Sequence, residues 1–203
     1  MRKFSRLFRI AFCGKCGDVL TRKTWYPHPD KVPVYVWACA TRMQHGPKTC
    51  DLRYIYEEEL QKITVQAINR AKGDHKLNGD LAEQCISEAL GEEQDAKIAE
   101  LDVQIRQLQD NLLFLKSGSN EIDELGNKII SLRDEKNKLL EEKALQAQRA
   151  KDIRACAEVF DGMTAPLESF EEKYVRSLIS RINLFDDRVV FIFKDGQEIV
   201  IEE

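Results

Sequence analysis

Cys13-Gly14-Lys15-Cys16-Gly17 decides how the first fifty residues fold. A Cys-x2-Cys knuckle lets two thiolates hold one ion, while backbone N–H groups stabilise the charge on sulfur. Gly17 supplies the left-handed turn just after the second cysteine. Cys39 and Cys50 complete a four-thiolate set, although ten residues separate them where a standard second knuckle has two. His45 lies between them and is the competing fourth ligand. Four cysteines close the coordination sphere, so the ion expected is one structural Zn2+ with no open catalytic position.

The residues around the knuckle read as short strands. Phe8 to Phe12, Val19 to Tyr26 and Val34 to Cys39 are rich in β-branched and aromatic side chains, and prolines 27, 29 and 33 interrupt them. So small a β module buries little apolar area, and a metal has to supply much of its stability. Leu60, Ile63, Ala67 and Ala71 then keep helical spacing as far as Gly73, which is expected to stop the helix. The other two cysteines, Cys85 and Cys156, lie on apolar helix faces and read as packed thiols.

Charge separates this head from the rest. Residues 1–53 hold eleven Lys/Arg against three Asp, although the whole chain of 203 residues has a net charge of −4. A basic head on an acidic body points to a polyanionic partner for the head. The candidate DNA-contacting residues are Arg6, Arg9, Lys15, Arg22, Lys23, Arg42, His45 and Lys48, interleaved with Trp25, Tyr26, Tyr35 and Trp37. The plainer alternative is a solvated basic face over a small aromatic core, and Trp37, beside Cys39, is expected in that core. No run of eighteen apolar residues occurs, so no membrane partner is expected.

A different period takes over further on. Ile98, Leu101, Ile105, Leu108, Leu112 and Leu115 step by three and four; after Ser117-Gly118-Ser119-Asn120 the pattern restarts at Ile122, Leu125, Ile129, Leu132, Lys136 and Leu139. Facing residues of an antiparallel hairpin have numbers with a constant sum. Here 115 with 122, 112 with 125, 108 with 129, 105 with 132, 101 with 136 and 98 with 139 all obey it. Lys136, opposite Leu101, is the one polar member, and its stem can snorkel outward. Near the tip (residues 116–121), Leu112, Phe114, Leu115, Ile122 and Leu125 form a candidate protein-contact surface. Alternatively these residues only cap the last core layer.

After Gly162 and Pro166 the pattern becomes globular again. Ser169 with Glu172 resembles a capping box, and Tyr174, Val175, Leu178, Ile179 and Ile182 give an apolar helical stripe. Two strands follow, Arg188–Phe193 and Gln197–Ile201, joined by the hairpin turn Asp195-Gly196, with Leu184 and Phe185 as a possible third strand. Tyr174-Val175-Arg176-Ser177 has no base or metal pattern beside it, and helix packing accounts for it.

The predicted fold class is therefore α+β: a small zinc β-ribbon domain with packed helices and a C-terminal β-hairpin, interrupted by a long antiparallel coiled-coil hairpin. The expected boundaries are 1–79 for the first part of the zinc domain, 80–160 for the hairpin, and 161–203 for the helix and strands that complete the zinc domain.

The order of these parts resembles a known family. The strand, the knuckle, Val36-Trp37-Ala38-Cys39, the Lys/Arg/Gly segment, Cys50-Asp51-Leu52-Arg53 and the acidic helix start Glu57-Glu58-Glu59-Leu60 are similar to the recombinase zinc β-ribbon domain of large serine recombinases, the phage integrases and transposon recombinases. Leu167–Phe170, Val175–Ile179 and Asp195–Ile199 resemble that family's C-terminal end. The resemblance implies binding of duplex attachment-site DNA by the zinc domain and contact with other recombinase subunits through the coiled coil. It also implies redirection by a recombination directionality factor and a cytoplasmic, bacterial or phage-encoded protein. The family's strand-cleaving serine lies in a separate resolvase domain, so this chain is expected not to cut DNA alone. The other reading is a zinc-stapled coiled-coil protein-interaction module that binds no DNA.

Overall fold

The computed structural model describes residues 10–26, 32–75, 92–114 and 120–202. The chain divides into two compact units, one formed by Met1–Gly79 with Asp152–Glu203 and the other by Asp80–Lys151.

The first unit contains two sheets. Strand β1 (Ala11–Cys13) ends at the first cysteine. Strands β2 (Leu20–Trp25) and β3 (Val34–Cys39) form an antiparallel pair, and the short β4 (Ile55–Tyr56) adds to β3. Helix α1 (Ala40–His45) follows Cys39 directly, and α2 (Glu57–His75) follows β4. Three glutamates in the first turn of α2 suit the positive end of its dipole. The helix runs past Gly73 to His75, because one exposed glycine costs only about 1 kcal/mol relative to alanine.

The C-terminal segment completes this unit with α5 (Glu172–Leu178), β5 (Ile179–Leu184), β6 (Arg188–Phe193) and β7 (Glu198–Glu202). The second sheet has the order β1-β5-β6-β7, and β1 pairs parallel to β5 with Ala11 opposite Ile182 and Cys13 opposite Leu184. The β6–β7 hairpin turns at Gly196, whose φ of 90° is cheap only for glycine. The helical stripe read through Ile179 and Ile182 is corrected here. Helix α5 ends at Leu178, both isoleucines lie in β5, and Glu171, with no side-chain cap bond, replaces Ser169 at the N-cap. Leu178, Ile179 and Ile182 are all buried, and a short apolar run satisfies either period.

One core joins both sequence halves. Trp37, Leu20, Ile55, Leu60 and Ile68 pack in the same buried cluster as Cys156, Phe160, Leu178, Phe191 and Phe193. Asn69 fastens α2 to the later segment, donating to the Leu167 carbonyl (3.0 Å) and accepting from its N–H (2.8 Å).

The second unit contains α3 (Glu92–Phe114) and the first part of α4 (Asn120–Gly162). Lys136 pairs with Asp102, Lys143 with Asp95 and Lys97 with Glu135, so the helices run antiparallel. Leu101, Ile105 and Ile129 are buried, and the other described heptad residues are half-buried in step with them. Lys136 does more than reach solvent: it has its own acid on the facing helix. The last part of helix α4 belongs to the first unit, where Cys156 and Phe160 lie in its core, and the second unit ends at Lys151. Gly162 marks where the helix ends; the unit boundary lies inside the unbroken helix, where the sequence has no breaker. The capping-box pattern at Asp80 and Glu83, and Cys85, lie outside the described residues.

Candidate metal centre and nucleic-acid face

Three elements bring the cysteines together. Cys13 ends β1, and the chain turns tightly after it: the Gly17 N–H donates to the Cys13 carbonyl (2.9 Å) and the Cys13 N–H to the Asp18 carbonyl (2.7 Å). Gly17 carries the turn at φ 78°. Cys39 ends β3 at the start of α1, and Cys50 lies on the way back to β4. The long second spacing has a simple cause. Helix α1 and the turn at Gly46, closed by the Thr49 N–H on the Gly46 carbonyl, fill the ten residues between Cys39 and Cys50.

The four Sγ atoms lie within 4.8 Å of one another. Cys13 and Cys50 approach to 3.6 Å, and Cys16 and Cys39 to 3.4 Å. A tetrahedron with Zn–S bonds of about 2.3 Å has sulfur–sulfur edges of about 3.8 Å, so these two edges need lengthen only slightly to hold zinc. Cys13, Cys39 and Cys50 are buried; Cys16 is exposed. His45 stands exposed at the end of α1 and is not in the cluster, so the cysteine set is the one the fold builds.

Burial pushes the Cys13 thiol up to about 12 and also raises Cys39. At Cys16 burial pulls the same way, but the Asp18 backbone and the Cys39 and Cys13 sulfurs outweigh it and bring the thiol down to about 7. Without a cation Cys13 and Cys39 favour their protons, and zinc binding would displace them. All four residues fit one structural zinc ion, and the closed thiolate set keeps it from acting as a Lewis acid.

The basic residues divide into two groups. Lys15 pairs with Asp51 (2.7 Å) and with Asp186. Arg22 grips Glu57 through two bonds of 2.7 and 2.6 Å and lies 3.5 Å from the centre of the Tyr35 ring. Arg42 donates to the carbonyls of Asp51 (2.8 Å) and Leu52 (2.5 Å), bracing the loop at Cys50. These three cations are committed inside the module. Lys23, His45 and Lys48 are exposed, and Arg6 and Arg9 lie outside the described residues.

Cross-strand register adds two aromatic residues to this surface. Lys23 is opposite Val36, and Val36 is opposite Tyr56, so the three form one row across the three-stranded sheet, with Lys23 and Tyr56 exposed on either side of buried Val36. Trp25 meets Tyr54 edge-on at 4.6 Å. Tyr54 and Tyr56 remain 39% and 49% exposed, whereas Trp37 is fully buried. The signal for Tyr54 and Tyr56 was their alternation around the apolar Ile55, a strand too short to stand out.

In the coiled-coil unit, Leu112, Ile122 and Leu125 are half-buried on the paired face, whereas Phe114 is 87% and its neighbour Leu113 81% exposed. Leu115 lies outside the described residues. No described helix is long and apolar enough to cross a membrane.

Comparison with known proteins agrees with the cysteine geometry. Residues 7–69 match the family model for the recombinase zinc beta ribbon domain. Among solved structures, a chain from the crystal structure of an LSR–DNA complex aligns with 17% identity and a TM-score of 0.40. The alignment covers all of this chain, which spans 58% of that chain's length. No curated protein matches significantly. The matched segment contains all four cysteines: residues 7–69 resemble a recombinase zinc beta ribbon, and one structural zinc ion is the cofactor that its cysteines hold.

Proposed function

We propose that this chain is the DNA-binding, C-terminal region of a serine site-specific recombinase. In this reading the zinc module binds duplex attachment-site DNA and supplies binding energy and placement, while the strand-cleaving serine belongs to a separate domain. The observation that carries the reading is the coincidence of the four-cysteine cluster with the segment similar to recombinase zinc ribbons. Lys23 and Lys48 contact phosphates, with Tyr54 and Tyr56 packing beside the backbone. Lysine contacts of this kind release counterions and give affinity without reading sequence.

Fluorescence anisotropy on a cognate attachment-site duplex and a random duplex tests this. Lys23→Ala and Lys48→Ala should each weaken binding to both duplexes and lower the salt slope by about 1. Failure of the zinc-loaded parent to bind either duplex at low salt would refute the reading.

The exposed Leu113 and Phe114 support a second role, contact with another recombinase subunit or a directionality factor during synapsis. Leu113→Ser with Phe114→Ser should abolish association in sedimentation and leave DNA affinity unchanged. Unchanged association would remove the tip from the proposal. Association without any DNA binding would favour a zinc-stapled protein-interaction module.

A further inference from the structure

The turn between β5 and β6, Phe185-Asp186-Asp187, meets the cysteine cluster from the far end of the sequence. The Gly14 N–H donates to the Leu184 carbonyl (2.7 Å), extending the β1–β5 ladder into the knuckle. The ring of Phe185 covers Gly14 so closely that a Cβ there would fall 2.5 Å from it. Asp186 takes Lys15 of the knuckle on one oxygen, and its other oxygen accepts the Arg53 N–H at 3.0 Å. Lys15 also binds Asp51, the residue after Cys50 (2.7 Å). One carboxylate thus bridges the Cys13–Cys16 loop and the segment leaving Cys50, the two sides that must close on the ion. Asp186 touches no sulfur; it acts through Lys15 and the Arg53 backbone. The segment that resembles the zinc ribbon ends at residue 69, well before this turn.

We propose that Asp186 is a positioning residue for the metal centre, so that the β5–β6 turn sets how tightly zinc is held. The bridge would hold the Cys13–Cys16 loop in register with Cys50, so that the four thiolates that would hold zinc stay together. Without it the Cys13–Cys16 loop separates from Cys50, and a chelator captures the ion. Removing partners that orient ligands costs about 10–100-fold in metal affinity in other sites. The proposal rests on the zinc assignment and is independent of DNA binding.

The test uses the full zinc-loaded chain. Zinc transfer to a chromogenic chelator is timed well below the melting temperature, and the d–d absorption of the cobalt-loaded protein reports on the tetrahedron. Asp186→Ala should release zinc about tenfold faster or more and shift the cobalt bands. Asp186→Asn keeps an acceptor for the Arg53 N–H but loses the charge facing Lys15, and should fall between that variant and the parent. Asp187→Ala is the control, because Asp187 lies in the same turn, is 71% exposed and pairs with Arg188. If Asp186→Ala does not fold, Asp186→Asn decides: faster release supports the proposal and parental release overturns it. Parental release from both Asp186 variants, or equal acceleration in Asp187→Ala, also overturns it.

Discussion

Gly14 tests whether the C-terminal strands and the cysteine knuckle form one packed structure. A Cβ at this position would meet three atoms of the Phe185 ring at 2.5–2.6 Å. Carbon atoms prefer about 3.5–4.0 Å, so Gly14→Ala forces the ring back by about 1 Å. Backbone strain adds nothing, because the glycines with positive φ are 17, 46 and 196. Overpacking of this kind costs about 1–3 kcal/mol, and the lower entropy of an unfolded alanine returns about 0.4–1 kcal/mol. The expected net loss is about 1–2 kcal/mol, a fall in Tm of roughly 2–8 °C for a chain of this size.

Phe185 is only half-buried, so truncating it should be tolerated. In a Phe185→Ala background the clash is gone, and Gly14→Ala should be neutral or slightly stabilising. The double-mutant cycle, measured by thermal melts with excess zinc, should therefore give a coupling of about 1–2 kcal/mol. An equal loss in both backgrounds would show that Phe185 does not cover Gly14 in solution, and the contact between turn and knuckle would have to be abandoned.

Three other outcomes follow from the same contacts. Cys50→Ser, or a strong chelator, should remove the metal and expose Trp37 to quenchers while most helical ellipticity persists; unchanged quenching of Trp37 would show that the metal does not hold its surroundings. Arg22→Ala should cost about 1–3 kcal/mol in urea unfolding, because it leaves Glu57 unpaired with its side chain 11% exposed, yet change DNA affinity less than about twofold; a large affinity loss would return Arg22 to the phosphate contacts. Lys136→Leu should raise the melting temperature of the helical hairpin by a gain of about 1 kcal/mol, since it fills the layer opposite Leu101 and releases only a half-exposed Asp102; a lower melting temperature would show that the ion pair outweighs apolar packing there.

The residues that were legible in sequence are those whose chemistry restricts their use. Four cysteines in a basic β-rich segment, two of them in a knuckle, have few roles besides a metal site, and the fold brings them together. A heptad on each side of a short tip encodes its own register, and the burial of Leu101, Ile105 and Ile129 follows it. Contacts between distant residues left no such mark. Arg22 reads as a free surface cation until Glu57 folds against it, and Lys15 until Asp51 and Asp186 do. Those acids are invisible as partners in sequence because nothing local relates them to the lysine or the arginine. The parallel pairing of β1 with β5 is equally silent, since three residues ending in a cysteine show no period. Ile179 and Ile182 were misread for the opposite reason: a helix stripe and a buried strand use the same side chains.

The position of the metal within the first unit explains how that unit can be discontinuous in sequence. Its two halves flank residues 80–151, and strand β1 has to find β5 across them. Loop-closure entropy grows only logarithmically with length, by about 0.6 kcal/mol per doubling, so an insertion of this size is a small burden on the unit that carries it. The difficult requirement is local. Three residues of β1 make few hydrogen bonds, and parallel pairing is slightly weaker per residue than antiparallel pairing. Zinc removes that weakness at its source, because Cys13 is both the last residue of β1 and a ligand of the ion. The ion would fix the end of β1, Gly14 carries the ladder on to Leu184, and Asp186 returns across the knuckle to the segment that follows Cys50. The two sheets are thereby joined at one corner by metal, backbone and carboxylate together, and the length of the inserted helices has little effect on that corner.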